Sequence, residues 1–330
     1  MQNLMQDLDW YELHPHPNAR PRQPGEHDPE NDPIYSLLFN GTQTCFAVLD
    51  AARVPNLVEQ LEQSELEHRC LFVGQAEDDL NEVAPWLVRL EPENRFTENL
   101  LTDGPNPAPW HLWGYEPGVF VQSSLSFDEV WRHLRKFTQA PDQRGQNFFV
   151  RFWDPDFILT YLKRPEAPET PLIRSLFRPL IIDHFIAFNV FDEVVRVSFH
   201  ADRHDWKVPP TPSFDTHLVD LIGTELANRR TARNFARDYP AILDDVPMAE
   251  IRDRIANARS ISRKIGIDGQ GMLGTFILLD VVYAPGFWRG QDFGHYWKTN
   301  KLEPNARFKA YLDVLKAELA KQVPDFKAWW

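Results

Sequence analysis

Residues 147–156 read Asn-Phe-Phe-Val-Arg-Phe-Trp-Asp-Pro-Asp, an apolar run closing on an acid, a proline and a second acid. In open α/β sheets an acid at the carboxyl end of a buried strand is where chemistry often sits, which makes Asp154 the first candidate for a general base. The same letters also start a helix. Aspartate is a favoured N-cap, Pro155 at the first helical position loses no needed N–H, and Asp156 in the first turn suits the helix dipole. Capping accounts for all three residues, whereas catalysis uses one. Arg151 fits less well, because it stands between the apolar Val150 and Phe152. A strand there calls for a buried carboxylate partner, Asp50 or Asp154.

Three further constellations have ligand-binding spacing. Residues 269–274, Gly-Gln-Gly-Met-Leu-Gly, match G-x-G-x-x-G, which cradles a pyrophosphate only where a strand leads into a helix N-terminus. Here residues 251–265 have helical spacing, Gly266 reads as the residue closing that helix, and apolar residues 275–283 follow. The glycines are therefore expected in a helix-to-helix turn. His200 and His204, four apart and flanked by Asp202 and Asp205, would suit zinc on a helix. They follow a strand end and precede Trp206 and two prolines, so a solvated turn is expected. His14, His16 and His27 are interleaved with prolines. No metal site and no cofactor is expected from these groups.

No Gly-x-Ser-x-Gly elbow, phosphate-binding Walker loop, His-Glu-x-x-His or Cys-x-x-Cys occurs. No pair of acids stands in environments that would push their pKa values apart. What remains of an enzymatic reading is a small-molecule cleft at the strand ends near Asp154 or at the 269–274 turn.

A formal charge of −13 argues against a nucleic-acid groove or an anionic membrane surface, both of which need concentrated Lys and Arg. Cys45 and Cys70 each lie inside an apolar segment and read as buried thiols. With no leader sequence and no apolar run long enough to span a bilayer, a reducing cytoplasm is the expected compartment. The chain is 43% hydrophobic and has 11 Trp and 23 Phe, enough for a sizeable core with aromatics to spare for a contact surface. Trp288, Tyr296, Trp297, Trp329 and Trp330 have no periodic reason to be buried and are the candidate partner-binding residues. The competing reading has them closing the base of a helical lobe.

The elements that position these residues divide the chain into three parts. Residues 1–33 form a Pro-rich, poorly ordered or extended lead-in. Residues 34–205 alternate strand and helix, with strands near 44–49, 70–73, 86–90, 118–123 and 194–199, and 150–153 as a central strand. Ser126 and Glu129 spell a capping box between the staple residues Leu125 and Val130, opening a helix that buries Val130, Trp131, Leu134 and Phe137. This alternation predicts a three-layer α/β lobe with a mixed, partly parallel sheet. Residues 206–330 read as mainly helical, with faces at Leu218, Val219, Ile222 and Leu226, at Ile251, Ile255 and Ile261, and at Phe308, Leu312, Leu315 and Leu319.

Several segments together resemble a bacterial family, the type VI secretion adaptor or effector-chaperone proteins, first catalogued as a domain of unknown function. They are Phe46-Ala47-Val48-Leu49-Asp50-Ala51-Ala52, Leu71-Phe72-Val73-Gly74 with Glu77-Asp78-Asp79-Leu80, and Ala84-Pro85-Trp86-Leu87-Val88-Arg89-Leu90. Trp113-Gly114, Leu134-Arg135-Lys136-Phe137 and Val150-Arg151-Phe152-Trp153-Asp154-Pro155 complete the series. The chain departs from the family in its long Pro-rich lead-in and at residues 119–122, which lack a Leu-Arg-Ser ending. The resemblance implies a non-catalytic cytoplasmic adaptor that binds a cognate toxic effector and loads it onto the VgrG spike, with no catalytic residues to carry over. It makes the helical lobe the candidate effector-binding region, and Asp50, Arg151, Asp154 and Pro155 part of a structural motif.

Overall fold

The computed structural model describes residues 11–16, 21–25, 32–104, 107–142, 144–164, 166–167, 170–178, 181–191, 193–199, 213 and 215–322. His27, His200, Asp202, His204, Asp205, Trp329 and Trp330 lie outside the described residues. The described residues form nine strands: β1 (Tyr11–Pro15), β2 (Thr44–Asp50), β3 (His68–Cys70), β4 (Pro85–Arg89), β5 (Gly118–Ser123), β6 (Gln139–Pro141), β7 (Asn147–Phe149), β8 (His184–Asn189) and β9 (Glu193–Phe199). Seven make one sheet in the order β1-β9-β8-β5-β2-β4-β3, and β6 pairs with β7 in a separate ribbon.

The fold is α/β, but the expectation of a partly parallel sheet is wrong, because every neighbouring pair is antiparallel. The reason lies in the strand order. β2 and β3 run the same way, as the ends of a strand–helix–strand crossover do, yet β4 returns between them and pairs with both. β4 and β5 likewise share a direction with β2 inserted between. Sequence alternation specifies crossovers; it does not specify which strand fills the gap.

Period-two alternation divides the side chains of the sheet between two cores. On one face Phe46, Val48, Val119, Val121, Phe185 and Val197 meet the helices Phe127–Leu134, Pro155–Leu162 and Pro171–Leu176. On the other, Cys45, Ala47, Leu49, Phe120, Ile186 and Phe188 meet Pro33–Phe39, Leu57–Ser64 and Arg95–Leu100. A helix layer on each face explains why β2, β5 and β8 read as near-continuous apolar runs.

One expectation is corrected locally, and one is made specific. The apolar stretch 150–153 is not a central strand: β7 ends at Phe149 with all three of its residues exposed, and the chain then turns, Asp154 N–H donating to Arg151 O at 2.9 Å. Phe152 and Trp153 are both buried. Consecutive buried side chains suit a turn pressed into a core and contradict strand alternation. The lead-in, for its part, contributes edge strand β1, whose pairing to β9 is backbone hydrogen bonding that needs few apolar residues. Asp32 caps the first helix, accepting from Tyr35 N–H at 3.0 Å.

The chain groups into two compact units, residues 1–226 and 227–330, and helix Thr216–Asp238 runs through the boundary. The described residues of the second unit form no strand. Its helices Met248–Lys264, Gln270–Leu278, Gln291–Thr299 and Pro304–Gln322 bury Ile251, Ile255, Phe276, Phe293 and Phe308.

Candidate functional site

The motif residues converge at one end of the first unit's sheet. Asp50, the last residue of β2, is buried; its Oδ1 accepts Ala52 N–H at 3.1 Å and its Oδ2 pairs with the guanidinium of Arg151. Asp50 is thus the carboxylate that Arg151 required. The arginine itself is half exposed, with 47% of its side chain open against 2% for Asp50. Because residues 150–153 form a turn, Arg151 reaches the pair from outside while Phe152 and Trp153 point inward.

Asp154 works as a cap. Its Oδ1 accepts Asp156 N–H at 3.0 Å and Phe157 N–H at 3.3 Å, with Pro155 at the first helical position. Its Oδ2 takes the guanidinium of Arg53 at 2.8 Å. The same guanidinium donates to Glu116 O at 3.2 Å, approaches Glu116 Oε2 at 3.6 Å and lies 3.8 Å from Asp50 Oδ2. Glu116, in the left-handed region at φ 48°, accepts Val190 N–H on Oε1 at 2.9 Å. Asp156 is buried and accepts from Asn189 Nδ2 at 3.1 Å.

Arg53 and Glu116 are the members that sequence reasoning missed. Arg53 stands in a polar turn after Asp-Ala-Ala, and nothing in its neighbours marks it as the hub of three carboxylates more than sixty residues away in two cases. Chemically the cluster is a clamp in which acids meet arginines or backbone N–H groups, tying the end of β2, the approach to β5, the β8–β9 turn and the start of helix Pro155–Leu162. Charge-assisted bonds of this kind fix geometry.

The remaining candidates separate from it. Gly269 precedes helix Gln270–Leu278, which contains Gly271 and Gly274, and Gly266 at φ +83° follows helix Met248–Lys264. A Cβ on Gly266 would meet Pro304 Cγ at 2.8 Å, a second reason for glycine there. A helix, not a strand, leads into these glycines, so the pyrophosphate geometry is not built. Among the described residues no group of three or more His, Cys, Asp and Glu side chains could hold a metal ion. The two cysteines are free and buried, and burial pushes the Cys70 thiol up to about 11 and raises that of Cys45 further.

In the second unit, Tyr296 and Trp297 come together on helix Gln291–Thr299. Trp297 stacks on Phe293 at 5.3 Å and lies under the Arg307 guanidinium at 4.8 Å, while Tyr296 meets Tyr311 at 5.4 Å. Asn300 Nδ2 donates to the Tyr296 hydroxyl at 3.0 Å. Trp288 sits one residue past Phe287, itself in contact with Phe276, Phe293 and Phe308, and carries the Arg289 guanidinium over its ring at 4.7 Å. All three candidates are partly buried. Tyr296 and Trp297 each have one side in the aromatic core of this unit and another open, whereas the only ring contact of Trp288 among the described residues is with Arg289.

Residues 45–171, a little over a third of the chain, match the model of a family described as a domain of unknown function, DUF4123. DUF4123 is a domain of the type VI secretion adaptor kind. The matched stretch runs from β2 to helix Pro171–Leu176 and contains Asp50, Arg53, Glu116, Arg151 and Asp154, so the clamp lies wholly within it. No curated protein and no solved structure matches the chain. Among the described residues no helix is long and apolar enough to cross a membrane.

Proposed function

We propose that this protein is a non-catalytic cytoplasmic adaptor that binds a cognate toxic effector and helps load it onto the VgrG spike of a type VI secretion system. The observation that carries the reading is the DUF4123 match over residues 45–171, a domain of the adaptor kind. The clamp supports it: Asp154, the strongest catalytic candidate in the sequence, has both carboxylate oxygens engaged in capping and in pairing Arg53. In this reading the α/β lobe is the scaffold, and the half-open aromatics Trp288, Tyr296 and Trp297 belong to the effector-binding surface, where aromatic anchors dominate interface energetics. Trp329 and Trp330, which lie outside the described residues, are assigned to the same surface.

Co-expression with the product of the neighbouring reading frame, followed by affinity purification, tests the proposal. A stable complex that survives washing is expected, and Trp297→Ala should weaken it at least about tenfold while moving the thermal midpoint little. Loss of the fold in Trp297→Ala would remove that residue from the binding surface. Absence of any complex would refute the adaptor reading itself.

A further inference from the structure

β1 is held to the sheet on one side only, by β9, and the face it completes is crowded with nitrogen bases. Register places His14 directly opposite Arg196, Arg196 opposite Ile186, and Ser198 opposite both Glu12 and His184. Directly opposed side chains lie about 5 Å apart at Cβ and diagonal ones about 7–8 Å. His16, just past β1, is fastened by its N–H to Val194 O at 2.8 Å. On this face Arg196 therefore has His14 directly opposite it, with His16 on one diagonal and His184 on another.

The buried Arg22 and the partly buried Arg53 of this unit are answered by Asp32 and by Asp50, Glu116 and Asp154. No carboxylate is within ion-pair distance of Arg196 among the described residues. Its Nε is shut off from solvent without a hydrogen-bond partner, and so is Nε2 of His16. His184 is held by the Ser198 hydroxyl at 3.1 Å. The acids nearest in register are Glu12, in the Ser198 row, and Asp183, whose Oδ2 accepts Ser124 N–H at 3.0 Å. Helix Pro33–Phe39, which covers the neighbouring strands on this face, has no charged side chain.

We propose that β1 is a proton-gated edge strand: protonation of His16, opposed by Arg196 and His14, releases residues 11–16 from β9 while the rest of the sheet stays closed. Seated against the sheet, His16 is kept neutral, because burial first and then Arg196 and His14 lower its pKa. His184 is lowered to about 4 by burial and then by Arg196. The sign follows. Above about pH 6.5 neither the seated nor the released imidazole carries a proton, so the strand's hold is independent of pH. Below it, the released His16 binds a proton that the seated one refuses, and acid favours release. The opening constant should rise on the order of tenfold per pH unit for each imidazole that the seated strand keeps neutral. Loss of one edge strand leaves the remaining six paired, which is what confines the change.

Hydrogen exchange by mass spectrometry on the full chain tests this, with protection corrected for intrinsic exchange rates at pH 7.5, 6.0 and 5.0 (about one and a half and one unit apart). Protection of residues 11–16 is expected to fall about tenfold or more between the two lower values, with residues 118–123 unchanged. His16→Gln should flatten that dependence. Should His16→Gln fail to seat β1 at any pH, Arg196→Gln decides instead: removing the repelling charge must shrink the loss of protection between pH 6.0 and 5.0 (about one unit). A flat wild-type profile, or a profile equally steep in both variants, would overturn the proposal.

Discussion

Among single residues, Asp154 carries the clearest consequence, because capping and catalysis make opposite demands on it. Asparagine caps about as well as aspartate, so Asp154→Asn should cost about 1 kcal/mol or less, chiefly from the weakened pair with Arg53, whereas Asp154→Ala should cost about 2 kcal/mol. Urea unfolding of the two variants checks the ordering, and equal losses would contradict the cap. His133 gives a pH prediction. Its Nε2 stands 2.7 Å from Leu176 O, and burial, the largest influence, lowers its pKa to about 4. The folded state holds it neutral where the unfolded state protonates it. Stability should therefore be unaffected by this group above about pH 6.5 and fall as the pH drops from there toward 4. Chemical denaturation at a series of pH values, with His133→Gln losing that part of the slope, measures it.

Among elements, β5 shows how closely the strands are fitted. A Cβ on Gly118 would stand 1.9 Å from Val48 O, inside the β2–β5 pairing, so Gly118→Ala should destabilise by more than about 3 kcal/mol or prevent folding. A thermal midpoint within a few degrees of the wild type would show that the backbone can yield there. The strands themselves were legible where the pattern is local: β5 falls on residues 118–123 as read, and Ser126 N–H donates to Glu129 Oε2 at 3.1 Å, as the capping box demands. Residues 150–153 were misread because an apolar run looks the same in a central strand and in a turn pressed into a core. β1 was missed for the opposite reason, its hold being backbone pairing at an edge, which leaves no apolar signature.

Across the whole molecule, the α/β class and the helical character of the C-terminal part follow from periodicity, but the direction of the strands does not. Strand insertion between crossover ends is a long-range choice that no local window records. The motif cluster was half legible: Asp50, Arg151, Asp154 and Pro155 stand out by type and position, while Arg53 and Glu116 acquire meaning only once separate loops meet. The same holds for the aromatics, where composition announces a surplus and only packing separates core from open faces.

An adaptor must do more than bind; it must join two proteins. The most direct test immobilises the spike protein, adds the effector, and measures effector retained with and without this chain. The account predicts retention that depends on the chain, saturates with it, and is reduced by Trp297→Ala. Effector held equally well in its absence, or a chain that binds neither protein, would contradict it.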